Sequence, residues 1–297
     1  MGDAERKAIR MIYSRNPELF QIETVQRPGA LPTLNPDGVS VRGCDYIYPP
    51  KGQAGEYAPL AANPYRGCGH ACAYCYVPRV TRQDRKDFDA GAVERPNYLK
   101  HLTADAKKYQ ALGLTGQVML SFTTDPFPPA MHILTRQVLE ALRDHGLAFC
   151  TLTKGGTRSF RDLDLFRPTR DAFASTLTTL DDKFSKKWER GAALPADRIA
   201  ALRKFHNAGI FTWVSLEPTL SIESSLQIVR ETHSFVDLYK IGRANYLPMT
   251  TVTDWESYTH RMIELVHKLN IKHYFKKDLQ PYLPKGYFNP LRIQQHH

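Results

Sequence analysis

The stretch NPYRGCGHACAYCY, residues 63–76, contains three cysteines, Cys68, Cys72 and Cys75, in the spacing C-x3-C-x2-C. This spacing brings three thiolates into one short loop, and thiolates are soft ligands that suit iron–sulfur clusters, zinc and copper(I). A structural zinc site or an ordinary electron-transfer cluster uses four protein ligands, but no fourth cysteine lies nearby in the sequence. Three thiolates on a four-iron cluster would leave one iron open to a small molecule.

A zinc site is the main alternative for this loop. His70 could complete a Cys3His set, because neutral imidazole is a common zinc ligand. However, His70 lies between two of the cysteines, where the short loop makes joint ligation awkward. Three core cysteines without any metal would have no reason to cluster at this spacing.

The aromatic residue Tyr74 stands directly before the last cysteine, so the loop has the pattern CxxxCxΦC, in which Φ is aromatic. This pattern resembles that of the radical S-adenosylmethionine (SAM) enzymes. The flanking residues NPYRGC and CAYCY are similar to the branch that includes spore photoproduct lyase.

The resemblance implies a set of cofactors and a reaction. Cys68, Cys72 and Cys75 would ligate three irons of a [4Fe–4S] cluster, and the fourth iron would chelate the amino and carboxylate groups of SAM. Reductive cleavage of SAM would give methionine and a 5′-deoxyadenosyl radical that abstracts hydrogen from a substrate. An electron donor such as flavodoxin or ferredoxin would be a partner.

Composition limits the cellular context. Of the 297 residues, 42% are hydrophobic and 24% are charged, as in ordinary globular proteins. The five cysteines are odd in number and three are clustered, which favours a reducing compartment over a disulfide framework. The first ten residues do not resemble a signal peptide, and no apolar run approaches the ~18 residues of a membrane helix. We therefore expect a cytoplasmic protein, monomeric and without a membrane partner.

The net charge is +10 and the pI is about 9.3. An excess of Lys and Arg of this size favours polyanionic partners such as nucleic acid.

The first 62 residues form a predicted N-terminal arm. Proline and glycine recur through it, and such breakers favour turns over long helices. We expect at most a short strand around 39–42, and an unliganded thiol at Cys44.

From Asn63 the pattern alternates between apolar runs of strand length and segments with helical periodicity. The strands are predicted at 57–66, 117–123, 147–153, 172–177, 210–216, 235–241 and 271–275. The helices are predicted at 96–112, 133–142, 159–166, 195–208, 222–232 and 254–269.

This alternation predicts a parallel sheet covered by helices. Residues 63–275 are fewer than the ~250 of a complete eight-unit barrel, so we predict an α/β fold with a partial (β/α)6 barrel. Residues 276–297 would form a C-terminal tail. In such folds sites gather at the carboxyl ends of the strands, and the cysteine loop follows the first strand.

Polar residues follow several of the predicted strands. Thr123, Thr124 and Asp125 end the second strand, where radical SAM enzymes hold the SAM amino group, and they supply acceptors for an ammonium. The alternative is that Asp125 only caps the local backbone. Lys154, after the third strand, could meet the SAM carboxylate or a substrate phosphate, or it could be a surface lysine.

Further candidates lie on the later strands. Ser175 is on the fourth strand, and Ser215 and Glu217 share one face of the fifth. A barrel-facing Glu217 could bind the ribose hydroxyls of SAM. Cys150 lies in the middle of a strand and is interpreted as a small core residue. It cannot be aligned with the hydrogen-donating cysteine of spore photoproduct lyase, so we assign no catalytic residue.

Two basic stretches could contact a polyanion, although a solvated helix face is the common meaning of such runs. The first consists of Arg79, Arg82, Arg85 and Lys86. The second consists of Lys268, Lys272, Lys276 and Lys277, and is followed by Tyr282, Tyr287 and Phe288.

Together these features favour a radical SAM enzyme of lyase or isomerase type that repairs, modifies or isomerises a nucleic acid or nucleobase. A peptide or small-metabolite substrate is the second hypothesis. A non-catalytic nucleic-acid-binding protein with a structural zinc is the third.

Overall fold

The structure is a computed structural model that describes residues 39–130, 133–244, 250–287 and 289. Its main sheet has seven strands in the order β1-β4-β5-β6-β7-β8-β9, and every neighbouring pair is parallel. These strands are β1 (Leu60–Ala62), β4 (Gln117–Leu120), β5 (Ala148–Thr153), β6 (Ala172–Thr176), β7 (Phe211–Leu216), β8 (Leu238–Ile241) and β9 (His273–Phe275). The predicted parallel α/β architecture is confirmed, including the last strand.

Helices connect the strands. They are α1 (Val77–Thr81), α2 (Arg85–Asp89), α3 (Tyr98–Ala111), α4 (Leu134–Asp144), α5 (Asp182–Trp188), α6 (Pro195–Asn207), α7 (Ile222–Thr232) and α8 (Trp255–Lys268). Within the described residues, three 3-10 helices cover Gly52–Glu56, Gly156–Leu165 and Lys277–Tyr282. The sequence pattern did not predict α1, α2 and α5, because each spans only five to seven residues and too few turns for a periodicity. None of the described helices has the length and apolar character of a membrane span.

The strand predicted at 57–66 is divided in two. After β1 the chain turns at Asn63 and Pro64, and β2 (Tyr65–Arg66) pairs antiparallel with β3 (Val93–Glu94) in a separate small sheet. The buried Asn63 side chain accepts hydrogen bonds from the backbone amides of Phe122 and Thr123, at 2.8 and 2.9 Å. Asn63 thereby joins the exit of β1 to the exit of β4.

Side chains alternate between two cores on the two faces of the sheet, as strand geometry requires. Phe149 and Phe173 face the helices, where Phe173 stacks on Phe205 with ring centroids 3.9 Å apart. The opposite, concave face carries a smaller cluster made of Ala58, Met119, Cys150, Ala172, Ala174, Phe211, Trp213 and Leu238. The candidate site lies at the carboxyl end of this concave face.

The described part of the N-terminal arm packs on the barrel. Asp105 of α3 accepts hydrogen bonds from the amides of Tyr46 and Ile47, and Tyr48 bridges to Ala61 on the free edge of β1. The strand predicted around 39–42 is wrong, because the chain turns there: the Cys44 amide donates to the carbonyl of Val41 at 3.0 Å.

The predicted domain limits, 1–62, 63–275 and 276–297, remain predictions. Strand β1 precedes residue 63 and nevertheless belongs to the main sheet.

Candidate functional site

The cysteine loop begins at a glycine that no other residue could replace without a clash. Gly67 has φ +72°, and a Cβ there would lie 2.2 Å from the carbonyl oxygen of Gly91. Such a left-handed backbone favours glycine. The next residue, Cys68, donates its amide to the carbonyl of Phe88 at 2.7 Å, so the loop is fixed against the end of α2.

The other side of the loop is held by the segment 188–191. The Ala73 amide donates to the carbonyl of Trp188 at 2.8 Å, and the Gly191 amide donates to the carbonyl of His70 at 2.9 Å. Between them Cys72 and Glu189 form an antiparallel bridge. Backbone contacts on both sides therefore fix the path of the loop.

All three loop cysteines are free thiols. Cys68 and Cys72 are buried and Cys75 is half-buried. Burial raises the pKa of each thiol, that of Cys72 to about 12. Cys72 and Cys75 raise the pKa of Cys68 further, and Cys75 raises that of Cys72. The cation of Lys154 opposes this increase at Cys72 and Cys75.

This donor set fits an iron–sulfur cluster. Three soft donors lie together in a largely buried loop, where a cationic metal centre would supply the charge that stabilises the thiolates. Among the described residues, no set of three or more His, Cys, Asp or Glu side chains is arranged to hold a single metal ion. A cluster requires no such convergence, because each thiolate binds a different iron.

His70 is engaged at both ring nitrogens. Its Nε2 lies 2.8 Å from an Arg158 guanidinium nitrogen, and its Nδ1 lies 3.3 Å from Asp125 Oδ2. Since arginine can only donate, Nε2 accepts and Nδ1 carries the hydrogen that faces Asp125. Neither nitrogen is open to a metal, so the geometry gives no support to a Cys3His zinc site.

Asp125 is buried and its carboxylate is fully used. Oδ1 accepts from the Phe127 amide and the Thr153 hydroxyl, at 2.8 and 2.6 Å, and Oδ2 accepts from the Lys154 amide at 2.8 Å. Although burial opposes its charged form, His70 and these hydrogen bonds hold the pKa of Asp125 well below its usual range. Asp125 thus links the end of β4, the end of β5 and the cysteine loop.

The two threonines before Asp125 differ in their contacts. The Thr124 hydroxyl donates to the carbonyl of Gly67 at 2.7 Å and so supports the loop. Thr123 Oγ1 is buried and has no hydrogen-bond partner among the described residues. An unsatisfied buried hydroxyl is costly in a protein interior, which makes Thr123 the member of the predicted trio that still has capacity for a ligand.

Lys154 lies beside the loop aromatic. Its half-buried ammonium is 5.5 Å from the ring centroid of Tyr74, and the Tyr74 hydroxyl donates to Glu189. Ser175 is placed differently. Its hydroxyl donates to the carbonyl of Thr153 at 3.0 Å, and it shares the helix-facing side of β6 with Phe173.

Ser215 and Glu217 face the barrel interior together, as predicted from their spacing. The Tyr57 hydroxyl contacts both side chains, and Lys276 Nζ lies 2.5 Å from Glu217 Oε2. Tyr57 precedes β1, so a segment of the predicted arm reaches into the barrel. No sequence motif indicated a site role for Tyr57, which lay within a predicted strand.

A buried lysine lies next to this group. Lys240 Nζ donates to the carbonyl of Tyr57 at 2.6 Å and lies 4.6 Å from the ring centroid of Trp213. Burial lowers the pKa of Lys240 to about 8. Cys150 is buried in the same cluster and receives the Trp213 indole N–H at 3.3 Å.

The two predicted basic stretches have different outcomes. In the first, Arg79, Arg82 and Lys86 are exposed, whereas Arg85 donates to the carbonyl of Cys72 and supports the loop. The second is not a continuous surface, because Lys276 is buried inside the barrel. Phe288 lies outside the described residues.

A buried ion pair supports the loop and was not predicted. Glu189 and Arg198 are each 1% exposed, and their charged groups are 2.5 Å apart. Although burial opposes ionisation, Arg198 and Lys154 lower the pKa of Glu189 to about 2. No motif links these residues in the sequence, and only the fold brings them behind Cys72 and Tyr74.

A parallel α/β sheet with a three-cysteine loop at its carboxyl edge defines a class of enzyme that combines an iron–sulfur cluster with SAM. The model of the Radical SAM superfamily matches residues 62–236, and the chain belongs to this superfamily. Membership implies a [4Fe–4S] cluster and SAM as cofactors, and it identifies the sheet as the partial barrel of this family.

The curated relatives carry no assigned activity. An uncharacterized protein of Acidianus two-tailed virus is 30% identical over 173 residues, which is 56% of this chain and 57% of the viral protein. An uncharacterized protein of Mycobacterium tuberculosis is 30% identical over 169 residues, or 53% of this chain and 48% of that protein. The chain thus spans about half the length of the curated relatives it matches.

Solved structures share the fold at low sequence identity. Streptococcus suis SuiB bound to SAM has a TM-score of 0.56 and 13% identity, over 77% of this chain and 53% of SuiB. Spore photoproduct lyase with a dinucleoside spore photoproduct has a TM-score of 0.56 and 14% identity, over 80% of each chain.

Proposed function

We propose that this radical SAM enzyme acts on a nucleic acid or nucleobase. The observation that carries the proposal is the border of the cysteine loop, where Arg79, Arg82 and Lys86 are exposed and the ring of Tyr76 is 53% exposed. Cations beside an exposed aromatic ring suit phosphate contacts and base stacking. The net charge of +10 supports the same class of substrate.

The structural likeness to spore photoproduct lyase is a second support. That enzyme's structure holds a dinucleoside, and the match extends over 80% of both chains. This likeness supports a nucleic-acid substrate for this chain as well.

We assign the cofactor contacts as follows. Cys68, Cys72 and Cys75 would hold the cluster, which together with SAM would supply the radical chemistry needed for hydrogen abstraction from the substrate. Thr123 and Lys154 are our candidates for the polar groups of SAM, because each keeps hydrogen-bonding capacity at the loop.

Asp125 and Thr124 have a positioning role in this proposal. Both side chains are occupied by contacts that fix the loop and the ends of β4 and β5. The prediction that they hold the SAM ammonium is therefore replaced by one in which they keep the loop and Thr123 in place. Ser175 has no part in the proposed site, because it faces the helices.

Glu217 and Ser215 remain our candidates for the ribose hydroxyls of SAM. The contacts of Glu217 with Tyr57 and Lys276 both use Oε2, which leaves Oε1 for a hydroxyl. Lys276 also balances the carboxylate charge within the barrel, where an unpaired charge would be costly.

A peptide substrate is the second candidate. The structure of SuiB bound to its precursor peptide matches with a TM-score of 0.55 over 73% of this chain. However, the match covers only 48% of SuiB, so about half of that protein has no counterpart in the alignment.

The proposal is tested by measuring 5′-deoxyadenosine from the anaerobically reconstituted protein with SAM and dithionite, with oligonucleotide pools or peptide pools added. We expect formation to increase with oligonucleotides and not with peptides. An increase with peptides alone would reject the nucleic-acid proposal.

Two cysteine variants serve as controls. Cys72→Ala should lose both the iron and the nucleoside product, because it removes a cluster ligand. Cys44→Ala should keep both, because Cys44 is buried in the arm near Asp105, where burial raises its pKa to about 11. Loss of iron in the Cys44 variant would show that the ligand set is wrong.

A further inference from the structure

Helix α5 presents a basic surface that the sequence pattern did not predict. Lys183, Lys186, Lys187 and Arg190 are all exposed, the arginine to 66%. Lys183, Lys186 and Lys187 stand at positions i, i+3 and i+4, which lie on one side of a helix. Arg190 follows two residues after the helix ends at Trp188. We call these four residues the α5 basic surface.

This surface is directly attached to the cysteine loop. Helix α5 follows the carboxyl end of β6, and its last residue, Trp188, accepts the amide of Ala73 from the loop at 2.8 Å. Glu189, next in the chain, bridges to Cys72. A ligand on the α5 basic surface would therefore lie next to the loop.

The positive charge of the surface is largely uncompensated. Among the described residues, Lys183, Lys186 and Lys187 form no ion pair. Arg190 lies 3.7 Å from Asp89, but Asp89 is already bound by Arg85 at 2.8 Å.

Two acidic residues, Asp181 and Asp182, lie at the opposite end of α5. The Asp181 carboxylate caps the helix by accepting from the amides of Lys183 and Phe184. Lys183 is adjacent to these carboxylates, whereas Lys186, Lys187 and Arg190 lie toward the end nearest the loop.

An aromatic pair accompanies the cations. Phe184 and Trp188 are half-buried, with ring centroids 6.1 Å apart, and Lys187 Nζ lies 4.9 Å from the Trp188 ring. Basic groups around a partly exposed indole resemble the surfaces that bind single strands by phosphate contacts and stacking.

We propose that the α5 basic surface binds the phosphate backbone of a single-stranded nucleic acid and leads the strand to the cysteine loop. This inference rests on the proposed function and adds the location of the binding surface. It also predicts that binding precedes and does not require SAM cleavage, because none of the four residues belongs to the proposed cofactor site.

The test compares two triple variants of the cluster-loaded, full-length protein. Lys183→Gln/Lys186→Gln/Lys187→Gln removes three charges from the surface, and Lys100→Gln/Lys107→Gln/Lys204→Gln removes three exposed charges from α3 and α6. Binding of a fluorescent single-stranded oligonucleotide is measured by anisotropy over a range of salt concentrations, without reductant.

We expect the α5 triple variant to bind about tenfold or more weakly, with a salt slope reduced by about 2, since each phosphate contact to a single strand contributes about 0.7. The control variant should change the dissociation constant less than about twofold. Equal effects in the two variants would overturn the inference, because they would show a general charge effect.

Two outcomes separate this inference from the proposed function. If the parent binds the oligonucleotide and the α5 variant binds equally well, the surface is wrong while a nucleic-acid substrate stands. If the parent does not bind any oligonucleotide, the proposed substrate class fails and the inference fails with it. Slower reduction by an acidic electron-carrier protein, with oligonucleotide binding unchanged, would assign the surface to that partner and overturn the proposal.

Discussion

At the scale of single residues, Asp125 was predicted to bind a ligand, but its side chain stabilises the protein's own structure. It stands at the expected end of β4, but four groups of the protein already surround its carboxylate. A residue that satisfies several buried donors contributes to folding stability, and its effect on catalysis follows from the loop that it holds.

Replacement of Asp125 tests this role. Asp125→Ala should lower the free energy of unfolding by about 3 kcal/mol, because it leaves several buried donors without an acceptor. Urea denaturation of the cluster-free protein measures this change. The matched control, Thr123→Val, should cost less than about 1 kcal/mol and should instead weaken SAM binding by the loaded protein. If Asp125→Ala has normal stability but no longer binds SAM, Asp125 contacts SAM directly, as the sequence predicted.

Lys240 provides a prediction about pH. Its pKa is about 8 in the folded protein and about 10.4 in an unfolded chain. Between these values the unfolded state binds more protons, so the folded state gains stability as pH rises through this window. Below pH 8 the buried charge costs about 3 kcal/mol.

Lys240→Met removes this charge. Below pH 8 the variant should therefore be more stable than the parent, and this difference in the free energy of unfolding should disappear between pH 8 and pH 10. Urea denaturation of the cluster-free proteins measures the difference. The exposed Lys204→Met serves as the control and should differ from the parent by a constant amount. A pH-independent difference for Lys240→Met would contradict the assigned shift.

At the scale of elements, the strands were predictable and the supports of the loop were not. Strands such as β5 and β7 are mostly apolar because both of their faces are buried, and this signal is local in the sequence. The segment 188–191 carries no such signal. Its importance comes from backbone bonds to the cysteine loop, more than a hundred residues earlier in the chain.

The ion pair of this segment should be sensitive to the loss of one partner. Glu189→Gln leaves the buried Arg198 without a counter-charge and should lower the free energy of unfolding by about 4 kcal/mol. The double variant Glu189→Gln/Arg198→Met should recover part of this loss, because it removes both charges. Urea denaturation of the cluster-free variants measures both values. A double variant less stable than the single one would mean that the pair does not act through charge.

The same single variant should also retain iron less well. Glu189 accepts from the loop residue Tyr74, and its backbone bridges to Cys72. A loosened segment would therefore release the cluster faster on anaerobic dilution. Iron retention equal to that of the parent would limit the role of Glu189 to folding.

At the scale of the whole molecule, the sequence motif located the site and the fold determined its surroundings. The spacing of Cys68, Cys72 and Cys75 predicts the cluster ligands from the sequence alone, and the structure shows the three cysteines together in one loop. The positions of Tyr57 and Lys276 inside the barrel depend on how distant segments meet across the open sheet. Such contacts have no period or motif, and the sequence therefore predicted neither residue as part of the site.

The surfaces that we propose for substrate binding likewise come together only in the folded molecule. The α5 basic surface and the first basic stretch are about a hundred residues apart in the sequence, but both adjoin the cysteine loop. Together they place positive charge at the carboxyl edge of the sheet.

The most direct test of the central claim is transfer of deuterium from nucleic acid to SAM-derived product. Anaerobically reconstituted enzyme, given SAM, dithionite and oligonucleotides deuterated on carbon, should form 5′-deoxyadenosine that carries deuterium, detected by mass spectrometry. Deuterium-free 5′-deoxyadenosine, formed at the same rate with and without oligonucleotide, would contradict hydrogen abstraction from nucleic acid.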